Sequence, residues 1–152
     1  MQALVQAIPD VEALLALEPE ELGGKLLFLL RKDLEREPGK LLHLQNVYSS
    51  QLFQNDHNPA LVYPRASQSE VELALMEAWN WLEVQGLLIR ASGTNGNSGF
   101  RVLSRRAKKF ENSEEFVRYE VGRRLPRGML HGRLSQTVCA MRGSGVSVVP
   151  IV

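Results

Sequence analysis

The side chains that most often carry out chemistry are sparse in this 152-residue chain. The single cysteine, Cys139, has only His131 near it in sequence, and a cysteine nucleophile needs a base and a group that orients the base. The glycine-rich stretch 92–99 lacks the Lys-Ser/Thr pair of a phosphate-binding loop. Neither His43 nor His57 has a second ligand at a spacing typical of zinc sites. The sequence therefore predicts a protein that is not an enzyme on its own and that uses no cofactor or metal.

Charge is divided unevenly along the chain. Residues 1–89 carry 6 Lys and Arg against 13 Asp and Glu, a net charge of −7, whereas residues 90–152 carry 12 against 4, a net charge of +8. A basic half can bind phosphates, and it can also attract the acidic half within one fold. Both alternatives stay open beside a third, an ordinary solvated surface.

The composition also indicates where the protein resides. One cysteine cannot form an intramolecular disulfide, and no apolar run approaches the ~20 residues of a membrane span. The segment 1–10 lacks the basic and apolar regions of a secretory signal. We expect a cytoplasmic protein that does not contact a membrane.

Two amphipathic helices are predicted in the first half of the chain. Asp10 is a good N-cap for a short first helix, and Pro19 suits the first turn of a second, leucine-rich one. Pro38-Gly39 ends that helix. Gly23-Gly24 lowers helix stability by roughly 1 kcal/mol per residue, so we expect a kink there.

The clearest helix follows residue 67. Ser67-x-x-Glu70 and Ser69-x-x-Glu72 are overlapping capping boxes, and either one predicts the start of a long helix. Its apolar stripe repeats at helical spacing, and Gly86 is a typical C-terminal cap. The stripe consists of Val71, Leu75, Ala78 and Leu82.

A β-hairpin and a further helix are predicted next. Leu87–Arg90 and Phe100–Leu103 have strand character, and the loop Ser92–Gly99 between them is rich in glycine and asparagine, which suits a flexible hairpin tip. Ser104 then predicts the cap of a helix that runs from Arg105 to about Arg124.

This order of elements resembles a winged helix. The string from Ala78 to Ile89 is similar to the family's L-x-x-x-G-L-I junction, and Leu103-Ser104-Arg105-Arg106-Ala107 is similar to its L-T-x-x-G closure. The resemblance implies a mainly α fold, a winged helix-turn-helix with a two-stranded wing hairpin and extra N-terminal and C-terminal helices. We predict N-terminal helices in 1–45, the winged-helix domain in 46–125, and a linker and tail in 126–152.

A narrower resemblance is to the N-terminal part of the uncharacterised Ymh-type family, which joins a winged helix to an all-helical domain of HEPN type. It is carried by Pro9-Asp10 with the leucine-rich first helices, by Ala78-Trp79, and by Leu125-Pro126 leading to Leu130-His131. The family's Leu-His-Pro is Leu-His-Gly here, and the similarity ends after residue 138. We expect the helical domain to be missing or altered.

The same resemblance offers a catalytic pair that we reject. Arg124 and His131 match the Arg-x4–6-His spacing of HEPN ribonucleases, where a helical segment holds both groups over the phosphodiester. Pro126 lies between them and would break that helix.

The winged-helix resemblance implies contact with double-stranded DNA, with the long helix entering the major groove N-terminus first and the wing lying against the backbone. Against it, Glu70, Glu72 and Glu77 lie on that helix, and the wing tip has no Lys or Arg. The alternative is a protein-interaction or dimerisation module that positions an absent effector domain, where Trp79 and Trp81 could serve the interface or belong to the core. The candidate DNA-binding residues are Arg65, Ser67, Gln68, Ser69, Arg90, Arg101, Arg105, Arg106, Lys108 and Lys109.

The C-terminal segment Val146–Val152 is mostly Val and Ile and has high β-propensity. An exposed segment of this kind recruits other chains, so we expect it to pack, either within its own molecule or against a second one.

Overall fold

The structure is a computed structural model that describes residues 2–54 and 62–124. Those residues are mainly helical, with one two-stranded sheet. Three 3₁₀ turns, Ser50–Leu52, Arg65–Ser67 and Ala107–Lys109, lie between the longer elements. The helices and strands are α1 (Gln2–Ala7), α2 (Val11–Leu15), α3 (Pro19–Arg36), α4 (Leu44–Val47), α5 (Gln68–Val84), β1 (Leu88–Arg90), α6 (Gly93–Asn97), β2 (Arg101–Leu103) and α7 (Ser113–Arg124).

The predicted starts of α2 and α3 are confirmed. The Asp10 carboxylate accepts a hydrogen bond from the Glu12 backbone N–H at 3.0 Å, which satisfies one of the unpaired donors of the first turn. Pro19 is the first residue of α3, where its missing N–H costs nothing. The helix ends at Arg36, and Gly39 turns the chain with a φ of +88°.

The core is built where α3 packs on α5. The apolar stripe predicted for α5 is buried as expected: Val71, Leu75, Ala78 and Leu82 are each 0% exposed. Leucines 22, 26, 27 and 30 of α3 are buried as well. Burying each such side chain contributes roughly 1.5–3 kcal/mol, so this helix pair supplies much of the folding free energy.

The glycine pair of α3 allows the close approach of its neighbours. The helix runs through Gly23 and Gly24 without interruption. A Cβ at Gly23 would lie 2.9 Å from Cε3 of Trp81, and one at Gly24 would lie 2.7 Å from Cε1 of Phe116. The pair therefore lets aromatic rings pack directly on the helix backbone.

Trp79 belongs to the core, and Trp81 is half-buried. Trp79 is 4% exposed, and Trp81 packs on Gly23 and edge-on against the Phe116 ring, with centroids 6.0 Å apart. Phe28 and Phe110 meet the same ring edge-on at 6.3 and 5.5 Å, the arrangement that aromatic quadrupoles favour.

The wing hairpin is confirmed, one residue shorter at the start of each strand than predicted. β1 pairs with β2 in antiparallel register, with Leu88 opposite Leu103 and Arg90 opposite Arg101. Leu42, just after α3, adds an isolated bridge to Arg101, with reciprocal backbone hydrogen bonds of 2.9 and 2.7 Å. The fold is therefore a mainly α winged helix with a two-stranded wing and extra helices at both ends.

The wing tip is more ordered than the sequence predicted. In place of a flexible loop, Gly93–Asn97 form the short helix α6, and Gly96 is buried against the Ala91 carbonyl. The Ser98 and Phe100 amides donate to the Thr94 and Asn95 carbonyls at 3.0 Å. These local hydrogen bonds replace the hairpin turn that the glycines and asparagines suggested.

The expected helix from Arg105 to Arg124 is divided in two. The Ser104 hydroxyl accepts from the Ala107 amide at 3.1 Å, but it caps only the turn Ala107–Lys109. A new cap then forms at Asn112, whose side chain accepts from the Glu115 amide at 3.0 Å and starts α7. Residues up to Phe116 form one compact unit, and Val117 onward, including the last turns of α7, are assigned to another.

Several predictions fall on residues outside the described ranges. They concern His57, Cys139, His131, the predicted linker and tail 126–152, and the segment Val146–Val152. No helix in the described part of the chain is both long and apolar enough to cross a membrane.

Candidate binding surfaces on the long helix and the wing

The start of α5 does not have the predicted capping geometry. Ser67 is at the N-cap position, but its side chain makes no capping hydrogen bond, because the turn Arg65–Ser67 already holds it at φ −93° and ψ 7°. Gln68 instead donates from Nε2 to the Glu72 carboxylate at 2.8 Å. Neither predicted capping box forms. Arg65 and Ser69 are exposed, whereas Ser67 and Gln68 are half-buried.

The solvent-facing side of α5 is a single continuous face. At 3.6 residues per turn its exposed residues fall within about a third of the helix circumference. Three of them are large and apolar: Leu73 is 56% exposed, Met76 45% and Val84 73%. We call this surface the outward face. It consists of Ser69, Glu70, Leu73, Met76, Glu77, Asn80 and Val84.

The electrostatic character of α5 is acidic throughout. Its 17 residues include four glutamates and no Lys or Arg. Glu72 is bound to Gln68, and Glu83 is bound to groups described below, while Glu70 and Glu77 are exposed on one edge of the outward face. Any ligand that approaches this face meets apolar side chains bordered by negative charge.

Arg101 is held against the end of α5. Its Nε donates to Oε1 of Glu83, and the two side chains are only 19% and 28% exposed. The same carboxylate oxygen accepts from Nε1 of Trp79 at 2.9 Å, and Nη1 of Arg101 donates to the Phe100 carbonyl at 3.1 Å. The sequence predicted this arginine as a phosphate contact, and the structure places it in an internal ion pair.

Arg90, the other arginine of the wing, is exposed. Its Nη2 donates to the Asn97 side chain at 3.0 Å, so it lies along the wing towards α6. The exposed pairing costs little to break, and Arg90 can turn towards an external anion.

His43 links the wing to α4. Its Nδ1 accepts from the Gln45 amide at 3.2 Å and caps α4, while Nε2 lies 3.3 Å from the Ser98 carbonyl. The ring also packs edge-on against Phe100, with centroids 4.9 Å apart. An accepting Nδ1 requires the proton on Nε2, which then donates to Ser98. His43 is a structural residue here, and within the described ranges no group of three metal-ligating side chains occurs.

A basic cluster follows the wing. Arg105, Arg106, Lys108 and Lys109 are all exposed, around the turn after β2. Lys108 also borders a shallow cavity of about 190 Å³ that is lined by Arg31, Leu34, Glu35 and Leu103. The cluster concentrates four cations within five residues, as the sequence indicated.

The apolar part of the outward face was not predicted from the sequence. Leu73, Met76 and Val84 lay outside the predicted core stripe and were given no role, although they recur at +3 and +11 on the side opposite Val71 and Leu75. A scan against protein-family models and searches of curated proteins and of solved structures found no match to this chain.

Proposed function

We propose that this chain is a protein-docking module, and that the outward face of α5 is the surface on which a partner protein binds. The observation that carries the proposal is the exposure of Leu73, Met76 and Val84 along one helix that has no cationic side chain. Large apolar side chains exposed along one helix face favour an interaction site, because leaving them in water is unfavourable. The module is non-enzymatic in this proposal and acts in the cytoplasm.

Charge argues against α5 as a DNA-reading helix. In a winged helix that binds DNA, the helix before the wing, which corresponds to α5, lies in the major groove between two phosphate backbones. The exposed Glu70 and Glu77 of α5 would be repelled by those phosphates, and no Lys or Arg of α5 would release their counterions. A protein surface that carries Lys and Arg imposes no such repulsion.

Substitutions on the outward face test the docking proposal. Leu73→Glu combined with Val84→Glu should weaken binding of a purified partner about 30-fold or more, at roughly 1 kcal/mol or more per apolar contact. Val117→Glu is the matched control, since Val117 is 57% exposed but lies on α7. Candidate partners are the proteins that the wild type retains from a native lysate, chosen without reference to the double variant. Each is then purified and titrated by calorimetry.

A partner that binds the wild type and the double variant with equal affinity would contradict docking through α5. Loss of binding in Val117→Glu as well would show that added charge anywhere is harmful and would remove the support for this face. Circular dichroism spectra should be unchanged in all three proteins, because the substituted side chains are exposed.

Double-stranded DNA binding is a second candidate, favoured by the exposed basic cluster after the wing. If the cluster contacts phosphates, log K falls linearly with log salt concentration, with a slope of about −0.9 per contact. Arg105→Glu combined with Arg106→Glu should then flatten the slope by about two units, whereas Lys25→Glu on α3 should not. Fluorescence anisotropy of a labelled duplex measures the slope. No binding at low salt would eliminate this candidate.

A further inference from the structure

We infer that the partner segment is an α-helix whose apolar row is bordered by Lys and Arg side chains. The inference rests on the proposed docking function and specifies what the outward face binds. Three features of α5 support it: the spacing of the apolar residues, the position of the glutamates, and the polar residue within the row.

The spacing of the row fits a second helix laid alongside α5. Leu73, Met76 and Asn80 follow one another at +3 and +4, the a-d-a spacing of a two-helix seam, and Val84 extends the row by another turn. From Leu73 to Val84 the row is about 17 Å long at 1.5 Å per residue, which is most of this 17-residue helix. A groove of one long helix is filled best by the ridge of another.

The position of the glutamates selects a basic partner. Glu70 and Glu77 are seven residues apart and therefore occupy the same position in successive heptads, beside the row. Helical spacing places Glu72 on the opposite edge, together with Glu83, whose charge is already paired with Arg101. Charges at these flanking positions decide which helices pair, so cations on the partner match the exposed Glu70 and Glu77.

A second copy of the same face is a poor occupant. In a parallel pair of α5 helices the two acidic edges face each other, and in an antiparallel pair each edge faces its own equivalent. Both arrangements bring glutamates together, and like charges across an interface oppose association. The acidic edges thus favour a different chain over a homodimer.

Asn80 would fix how the partner helix lies along α5. It is exposed and polar within an otherwise apolar row. Covering its amide without a hydrogen bond is costly, so the partner needs a polar side chain opposite it. A single such position sets the register of paired helices.

Two labelled helical peptides test the inference directly. Both are about three heptads long with the same Leu and Ile row and one Asn, and they differ only in carrying Lys or Glu at the flanking positions. By fluorescence anisotropy at ~50 mM salt the Lys peptide should bind at least tenfold more tightly, and this preference should shrink at ~500 mM salt. Glu70→Lys combined with Glu77→Lys should reverse the preference. Leu73→Glu combined with Val84→Glu should abolish binding of both peptides.

Each alternative result has a defined meaning. Equal affinity for the two peptides, lost in the Leu73→Glu and Val84→Glu variant, would overturn the charge inference while docking through α5 stands. No binding of either peptide to the wild type would overturn the helical partner, and the purified-partner titration would still decide the docking proposal. A preference for Lys that survives Glu70→Lys and Glu77→Lys would place the acidic contact elsewhere and would also overturn the inference.

Discussion

Gly24→Val should lower the free energy of unfolding by about 2 kcal/mol, because α3 has no room for a side chain at this position. A Cβ there would lie 2.7 Å from Cε1 and 3.1 Å from Cδ1 of Phe116. Phe116 is 4% exposed and edge-on to three other aromatic rings, so it cannot move away without disturbing them. The higher helix propensity of valine recovers only a few tenths of a kcal/mol.

Chemical denaturation measures this effect, and Gly122→Ala in α7 is its control. Apart from the adjacent residues and the backbone of α7 itself, no atom in the described part of the chain lies within 4 Å of a Cβ at Gly122, so alanine should be neutral or stabilise by up to ~1 kcal/mol. A second check is the double substitution of Gly24→Val and Phe116→Leu. The smaller residue at position 116 relieves the clash, so the double variant should lose less stability than the two single variants lose together. Full additivity, or a Gly24→Val protein as stable as wild type, would show that Phe116 does not restrict the site.

Stability should also fall at high pH, and Tyr63 should be the cause. The Tyr63 side chain is 1% exposed, its hydroxyl donates to the Ile8 carbonyl at 2.6 Å, and burial raises its pKa to about 12. In the unfolded chain a tyrosine ionises near pH 10. Because the pKa of Tyr63 is higher in the folded state than in the unfolded state, its contribution to the free energy of unfolding is complete below pH 10. That contribution is lost as the pH rises towards 12. A shift of this size corresponds to roughly 2–3 kcal/mol.

Tyr63→Phe separates the two roles of the hydroxyl. At neutral pH the variant should lose about 1–3 kcal/mol, since the buried Ile8 carbonyl is left without a donor. Between pH 10 and 12 its stability should change much less than that of the wild type. Urea titrations at several pH values measure both quantities. The control is Tyr48→Phe, a change at a half-buried tyrosine, which should still lose stability between pH 10 and 12 as the wild type does. An alkaline loss of wild-type size in Tyr63→Phe would assign the effect to other groups.

The elements that the sequence predicted correctly are those set by local periodicity and caps. The buried stripe of α5 repeats every three to four residues, and the turn directly after α5 contains Gly86 with φ +66°. There the Gly86 and Leu87 amides donate to the Glu83 and Leu82 carbonyls, both at 2.9 Å, which is the Schellman arrangement. Such features depend on residues within one turn of each other, so a single sequence contains them.

The features that the sequence could not predict depend on residues far apart in the chain. Arg101 looked available for phosphate until the fold placed Glu83 beside it, and nothing in either local segment signals that pair. Gly23 and Gly24 were interpreted only as weakening the helix, because their aromatic neighbours, Trp81 and Phe116, come more than fifty residues later. Local rules describe the cost of a glycine in a helix but not the contact that it permits.

The bridge between Leu42 and Arg101 has a consequence for the order in which the chain folds. β1 and β2 are neighbours in sequence, so the hairpin closes a short loop, whereas Leu42 must cross about sixty residues to reach β2. Closing a loop of that length costs entropy that one pair of hydrogen bonds does not recover. The bridge therefore becomes favourable only after α3 and α5 have packed and brought their ends together. We therefore expect the bridge from Leu42 to the edge of the wing to form late in folding. Destabilising the α3–α5 contact should slow the formation of this bridge more than the formation of the β1–β2 hairpin.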